Sequence, residues 1–277
     1  MSVDHYENFP VASWLCPPAL RAPIAAIYQF ARTADDIADE GDAPALQRLG
    51  ALEHFRRELV AALAGDPSPG GRWPEVFGPL REAITAHRLP GPLLHNLLDA
   101  FEQDVAFTAH ARHYAAREQL LDYCRRSANP IGRLLLHLYG IADAAALAQS
   151  DAICSALQLA NFWQDLSVDL KRGRHYLPLS DCAAFGLDPA ADPRAMDAAA
   201  FASMVESLVA WTRELMRQGA PLARRLPGRI GWELRLVVQG GLRILDHIEA
   251  MGCDTRSARP RIAKRDFPIM AWRACRM

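Results

Sequence analysis

Two short stretches carry residue types and spacings that could do chemistry. In the first, Arg32-Thr33-Ala34-Asp35-Asp36-Ile37-Ala38-Asp39-Glu40, four carboxylates fall within six positions. No Pro or Gly interrupts residues 24–40, so the stretch reads as helix, with Ile24, Ile27, Tyr28 and Ala31 on one stripe. Asp35 and Asp39 are four apart and project from one face, where like charges repel. A helix that carries them needs a cation among them. In the second stretch, Asn161, Asp165 and Asp169 stand at i, i+4 and i+8, and Gln158 extends roughly the same face by most of a turn. Ligand sets made only of oxygen suit hard cations, and Mg2+ takes one or two carboxylates with waters and substrate phosphates. Either stripe alone reads as a solvated helix face, since charged residues are mostly exposed. Together, with apolar residues around both, the stripes suggest a Mg2+ site for a diphosphate, both facing one cavity. Lys171-Arg172-Gly173-Arg174-His175-Tyr176 follows directly. Such a cluster suits a helix C-terminus, and it also offers guanidinium partners to an anion.

The elements that must position these groups read as helices. Ala45–Ala64 is amphipathic, with Leu49, Leu52, Leu59 and Leu63 on the core side. Prolines up to Pro23 break helix repeatedly before the first acid stripe, although residues 8–15 are apolar enough to pack as a lid or short helix. Pro74 to Phe77 suggests one turn, interrupted at Gly78, before helices at Pro79–His87 and Pro92–Thr108. Residues 117–139 read as helix, bent or restarted at Asn129-Pro130. Ser150 suits the N-cap and Gly173 the C-cap of a helix over Asp151–Arg172, which carries the second stripe. Two long helices follow, Phe201–Gln218 and Trp232–Met251. The tail from Thr255 holds seven cations against Asp266. It reads as a final packed helix with a solvated basic face, and less readily as a segment resting on an anionic membrane.

Bulk properties narrow the class. The chain has 277 residues, 51% apolar and 23% charged, with a formal net charge of -1, so nothing global points to nucleic acid. No apolar run is long enough to span a bilayer, and the charged, proline-bearing start does not read as a signal peptide. A cytoplasmic protein is expected, with peripheral contact at the inner face of the cytoplasmic membrane left open. The six cysteines are scattered without a Cys-x-x-Cys pair and read as reduced thiols. His110 and His113 lack a completing ligand set and read as ordinary histidines. The expected architecture is one all-α domain over 1–277, its helices surrounding a central apolar cavity. A di-iron bundle is disfavoured because no Glu-x-x-His motif is present. A non-catalytic helical scaffold that binds a partner protein stays open.

The two Asp-x-x-x-Asp motifs, Asp35 to Asp39 and Asp165 to Asp169, resemble those of the squalene/phytoene synthase family. Arg32 and Tyr28 match the family's Arg and Tyr before the first motif, and Asn161 and Gln158 its Asn and Gln before the second. Arg174 and Tyr176 match its basic–aromatic pair after that motif. The resemblance runs over nearly the whole chain. It implies an isoprenoid synthase fold, a prenyl diphosphate substrate and Mg2+ held by Asp35, Asp36, Asp39, Asn161, Asp165 and Asp169. Asp35, Asp39, Asp165 and Asp169 would be catalytic. Tyr28, Arg32, Lys171, Arg174, Tyr176, Phe9 and Gln158 would bind substrate, with Trp14, Phe30, Phe162 and Trp163 as candidates, like Phe9, for lining the cavity.

Residues 5–13 and 30–41 resemble one branch of the family, from bacterial hopanoid biosynthesis. That branch ionises presqualene diphosphate and lets water capture the cation, giving hydroxysqualene and diphosphate. Transient contact with the enzymes before and after it is a further implication. Two departures bear on this. Arg125 or Arg126 stands where many relatives carry a catalytic aromatic, and Gln164 where they carry Arg. Both fit an enzyme that performs only the second half-reaction. The alternative is a condensing synthase making squalene, dehydrosqualene or phytoene from two prenyl diphosphates.

Overall fold

A computed structural model describes residues 16–67, 70–189 and 191–277. All regular structure among them is helical. Among the described residues the chain forms two compact units, one of 16–110 and 125–147, the other of 111–124 and 148–277. None of the helices in the described residues is long and apolar enough to cross a membrane.

The first unit begins with α1 (Pro18–Asp39), which carries the first acid stripe. This helix starts earlier than the prolines suggested. Pro18 occupies its first turn, where a missing N–H costs nothing, and Pro23 is tolerated inside it with its ring buried. The buried stripe is also turned from the expected one: Ala26, Ile27, Phe30, Ala34 and Ala38 face the core, while Ile24, Tyr28 and Ala31 are half-buried. α2 (Ala45–Ala64) has the expected bounds. α3 (Pro74–His87) runs unbroken through Gly78 and Pro79, because Val76, Phe77, Leu80 and Ala83 make one buried stripe that spans the supposed interruption. α4 (Gly91–Ala109) follows. Phe30, Phe55 and Phe77 meet at the centre of this unit, with ring centroids 4.7 to 6.1 Å apart, and Trp73 closes on Phe55 at 4.9 Å. Aromatic pairs of this kind add about 0.5–1.5 kcal/mol each beyond their burial.

α5 (Arg117–Ser127) leads into α6 (Asn129–Leu138), and the restart falls at Asn129-Pro130 as expected. α7 (Ala144–Gln164) starts six residues before the expected N-cap and ends eight before the expected end. Ser150 is buried inside it rather than capping it. The chain kinks at Asp165 and continues as α8 (Leu166–Asp169) and a 3-10 turn (Leu170–Arg172). Gly173 then takes the left-handed conformation, φ 71°, as a C-cap.

α9 (Leu179–Ala184), unforeseen in the sequence, precedes α10 (Ala198–Gly219), α11 (Leu222–Arg225) and α12 (Gly228–Ala250). Gly219 ends α10 against α7: a Cβ there would lie 2.5 Å from Ile153 Cγ1 and 2.6 Å from the Gln149 carbonyl. The last helix, α13 (Phe267–Cys275), packs on α12. Asp266 anchors it. Fully buried, it accepts hydrogen bonds from Arg243 Nε at 2.7 Å and Ala263 N at 2.6 Å, and lies 3.1 Å from His247 Nε2. Burial alone would raise its carboxyl pKa, but the Ala263 N–H, Arg243 and His247 together hold it down to about 2.

Candidate functional site

The first acid cluster is built by α1 alone. Its core stripe turns Asp35, Asp36 and Asp39 to the margin of the packed face, so all three are half-buried. The cation required among them is Arg32. Its Nη2 lies 2.7 Å from Asp36 Oδ1 and 3.0 Å from Glu40 Oε1, and Nη1 lies 3.4 Å from Asp35 Oδ2. Tyr28, one turn earlier, is half-buried on the same side. The C-terminal end of α1 is closed by Arg48 of α2, which donates to the carbonyls of Ala38 at 2.7 Å, Gly41 at 2.5 Å and Ala43 at 2.9 Å. A cation there satisfies orphan carbonyls and complements the helix dipole, and so fixes the end of the acid stripe.

The second cluster lies at the end of α7. Gln158, Asn161 and Asp165 are half-buried, and Asp169 is 8% exposed. The four-residue register survives the kink: Asp165 N donates to Asn161 O at 2.8 Å, and Asp169 N to Asp165 O at 2.9 Å. The turn at Gly173 brings the Arg174 N–H back onto Asp169 O at 2.9 Å. Lys171 is exposed and Arg174 half-buried. Tyr176 is buried and stacks on Phe162, centroids 3.8 Å apart, beside Tyr114 and Tyr123.

Three consecutive residues of this cluster hold the tail that follows α12. Thr255 Oγ1 donates to the Trp163 carbonyl, and Gln164 Nε2 donates to the Pro260 carbonyl at 2.7 Å. Arg259 grips Asp165 through two hydrogen bonds, Nε to Oδ1 and Nη2 to Oδ2, the latter at 2.9 Å. Neither Arg259 nor Arg48 stood out in the sequence. The run Arg256 to Arg276 marks the tail as basic but does not say which cation meets which acid.

Of the proposed cavity-lining aromatics, Phe30 and Trp163 have no exposure and belong to the cores of their units. Trp163 Nε1 is spent on Thr212 Oγ1 at 2.8 Å. Phe9, Trp14 and the apolar segment 8–15 lie outside the described residues. His113 stacks on His175, centroids 4.3 Å apart, and His110 is exposed at the end of α4. Arg126 donates to Gln103 Oε1 of α4 at 2.7 Å, while Arg125 is exposed.

Among the described residues no three His, Cys, Asp or Glu side chains stand close enough to hold a metal ion unaided. Mg2+ does not need such a cage, because waters and phosphate oxygens complete its shell. The donor chemistry fits that ion. Each cluster presents only oxygens, and each already binds a cation, Arg32 in one and Arg259 in the other.

Known proteins resemble this chain. The family profile for squalene/phytoene synthase matches residues 3–266. The hydroxysqualene synthase of Rhodopseudomonas palustris is 32% identical over 270 residues, which are 97% of this chain and 87% of that protein. That of Zymomonas mobilis is 32% identical over 235 residues, 83% of this chain and 75% of the relative. The crystal structure of a squalene synthase from Alicyclobacillus acidocaldarius superposes with a TM-score of 0.78 at 34% identity, covering 90% of both chains.

Proposed function

The chain belongs to the squalene/phytoene synthase family and has its all-α isoprenoid synthase fold, and from that premise we propose that it converts presqualene diphosphate and water to hydroxysqualene and diphosphate. The observation that carries this reading is the 32% identity to a hydroxysqualene synthase across 97% of the chain. Residues 1–277 act as one catalytic domain in this reading.

Asp35, Asp36 and Asp39 of one unit and Asn161, Asp165 and Asp169 of the other are the residues that would hold Mg2+. When bound, the metal neutralises the diphosphate and makes it a better leaving group. The chain's own cations do the rest of the anion binding: Arg32, Lys171 and Arg174 offer guanidinium or ammonium donors to phosphate oxygens. Tyr28 and Gln158 add neutral polar groups beside the acids. Tyr176, stacked on Phe162, is the aromatic of this substrate-binding set. Phe9 belongs to this substrate-binding set from the sequence. The carbon–oxygen bond to diphosphate breaks with both electrons leaving on oxygen. The cation rearranges, water bonds to carbon, and a proton departs to solvent or diphosphate. No electron is gained or lost, so no nicotinamide is required.

The working location in this reading is the cytoplasm. A supplier of presqualene diphosphate and a consumer of the alcohol are its transient partners.

A second reading, reductive formation of squalene, is favoured by the name of the Alicyclobacillus structure. Incubation with presqualene diphosphate and Mg2+ in isotopically labelled water, with and without reduced nicotinamide, separates the two. An alcohol labelled at oxygen in both arms supports the proposal. A hydrocarbon formed only with the reductant replaces it by the second reading.

A further inference from the structure

The outward side of α13 mixes exposed apolar side chains with arginines. The helix buries Met270 and Ala274, yet Phe267, Ile269 and Trp272 are 49%, 38% and 56% exposed. Ile269 and Trp272, three apart, share one side of the helix, Phe267 stands exposed at its N-terminal end, and Trp suits a boundary that is apolar on one side and wet on the other.

Beside these side chains lies a cavity of about 370 Å3 whose lining includes Arg213, Arg217, Arg273, Arg276, Trp272 and Gln239. Its one acid, Asp246, is committed to Arg213 at 3.1 Å and Arg273 at 2.6 Å. Arg276 lies flat on Trp272, 3.9 Å from the ring centroid, and makes no ion pair among the described residues. Among the described residues Arg217 pairs with Glu214 alone, at 3.5 Å. Gln239 is 5% exposed, and its Oε1 has no hydrogen-bond partner among the described residues.

Cations outnumber acids in the cavity lining, four arginines to Asp246, and Glu249 and Glu214 stand against Arg213 and Arg217 at its edge. From residue 256 to the end there are seven cations and a single acid, Asp266, which is wholly buried against Arg243 and His247. Arg261, Lys264 and Arg265 are exposed and make no ion pair among the described residues. A second copy of the chain laid on this face would bring the same cations against themselves, which disfavours a self-complementary interface.

We propose that α13 and the arginine-lined cavity beside it form a docking face for anionic phospholipid bilayers. Phe267, Ile269 and Trp272 enter the boundary between headgroups and acyl chains. Arg217 and Arg276 take lipid phosphates. The proposal does not rest on the reaction the enzyme performs.

Co-sedimentation of the full chain with vesicles tests it. Vesicles of phosphatidylcholine with roughly 30% phosphatidylglycerol should bind the protein, more weakly as salt rises, and pure phosphatidylcholine should not. Arg217→Gln with Arg276→Gln should lower the partition coefficient by about 25-fold, roughly fivefold per charge, and Trp272→Ala should lower it by about tenfold. Arg57→Gln, on exposed α2 surface, should leave it near the parent value. All these sites are at the surface, and circular dichroism checks that the variants fold. The proposal is overturned by equal binding to both vesicle types, by no binding to either, or by a loss at Arg57 equal to that at the arginine pair. A dimer in light scattering that Trp272→Ala dissolves would instead assign this face to a second copy.

Discussion

Arg259 holds Asp165 in a two-pronged ion pair, with Nη2 2.9 Å from Oδ2 and Nε bonded to Oδ1. The acid is the first carboxylate of the second Asp-x-x-x-Asp motif, and the arginine comes from a segment 94 residues further along. A guanidinium that takes both oxygens competes with a metal ion for them. Arg259→Gln should therefore tighten substrate-free binding of Mg2+ or Mn2+ by about fivefold, the worth of an ion pair near 1 kcal/mol. Titration calorimetry, or the Mn2+ paramagnetic signal, reads this without any turnover. Unchanged affinity would mean that the pair does not compete with the metal.

The first motif gives a complementary test. Arg32 is shared among Asp35, Asp36 and Glu40, so loss of one carboxylate leaves it two partners. Asp35→Asn should change stability by no more than about 1 kcal/mol, as for exposed ion pairs. It should lower turnover by about 100-fold or more if the carboxylate helps to hold the metal. A chelator should abolish parent activity and Mg2+ should restore it. A variant that melts early yet turns over normally would make the stripe structural.

How much of this could be read from the chain depends on the range of the interaction. The i, i+4 spacings of Asp35 with Asp39, and of Asn161, Asp165 and Asp169, are local and survive in the backbone register even where α7 kinks. Proline was a poor guide at Pro23 and Pro79, because a buried stripe of side chains outweighed one missing hydrogen bond. Ser150 misled for the same reason: a good N-cap residue is also small enough to bury. Arg48 on the end of α1 and Arg259 on Asp165 depend on tertiary pairing, and nothing in their local sequence distinguishes them from neighbouring arginines.

A pH dependence follows from His113 and His175. Burial lowers the pKa of both below the ordinary 6.5, and for His175 the neighbouring His113 lowers it further while Asp192 opposes. As pH falls below about 6.5 the unfolded chain takes up these protons while the folded chain resists. Stability contributed by the neutral pair is thus full above that pH and declines as pH drops toward the folded values. The melting temperature should fall between pH 6.5 and 5, and His175→Gln should flatten that decline. A parent profile level across this range would show that neither ring is held neutral.

The last test concerns Gln164, at the position where the family resemblance implies an arginine. A condensing enzyme must hold two diphosphates, whereas hydration of presqualene diphosphate needs only one. In this chain the position is 7% exposed, and the amide donates to the Pro260 carbonyl at 2.7 Å, next to the Arg259 that clamps Asp165. The residue is therefore used to fasten the tail, and the site has one cation fewer for a second diphosphate. Farnesyl diphosphate alone should give little or no product, while presqualene diphosphate should be consumed. Gln164→Arg should not create a condensing enzyme. It would bury a charge where a neutral donor fits, at a cost of about 3 kcal/mol, and free the segment around Arg259. Hydrogen exchange should then show faster opening at residues 255–260. Efficient conversion of farnesyl diphosphate to a triterpene hydrocarbon by the parent would overturn the half-reaction assigned here, and gain of that activity by the variant would show that charge, not tail anchoring, decides which half-reaction the site runs.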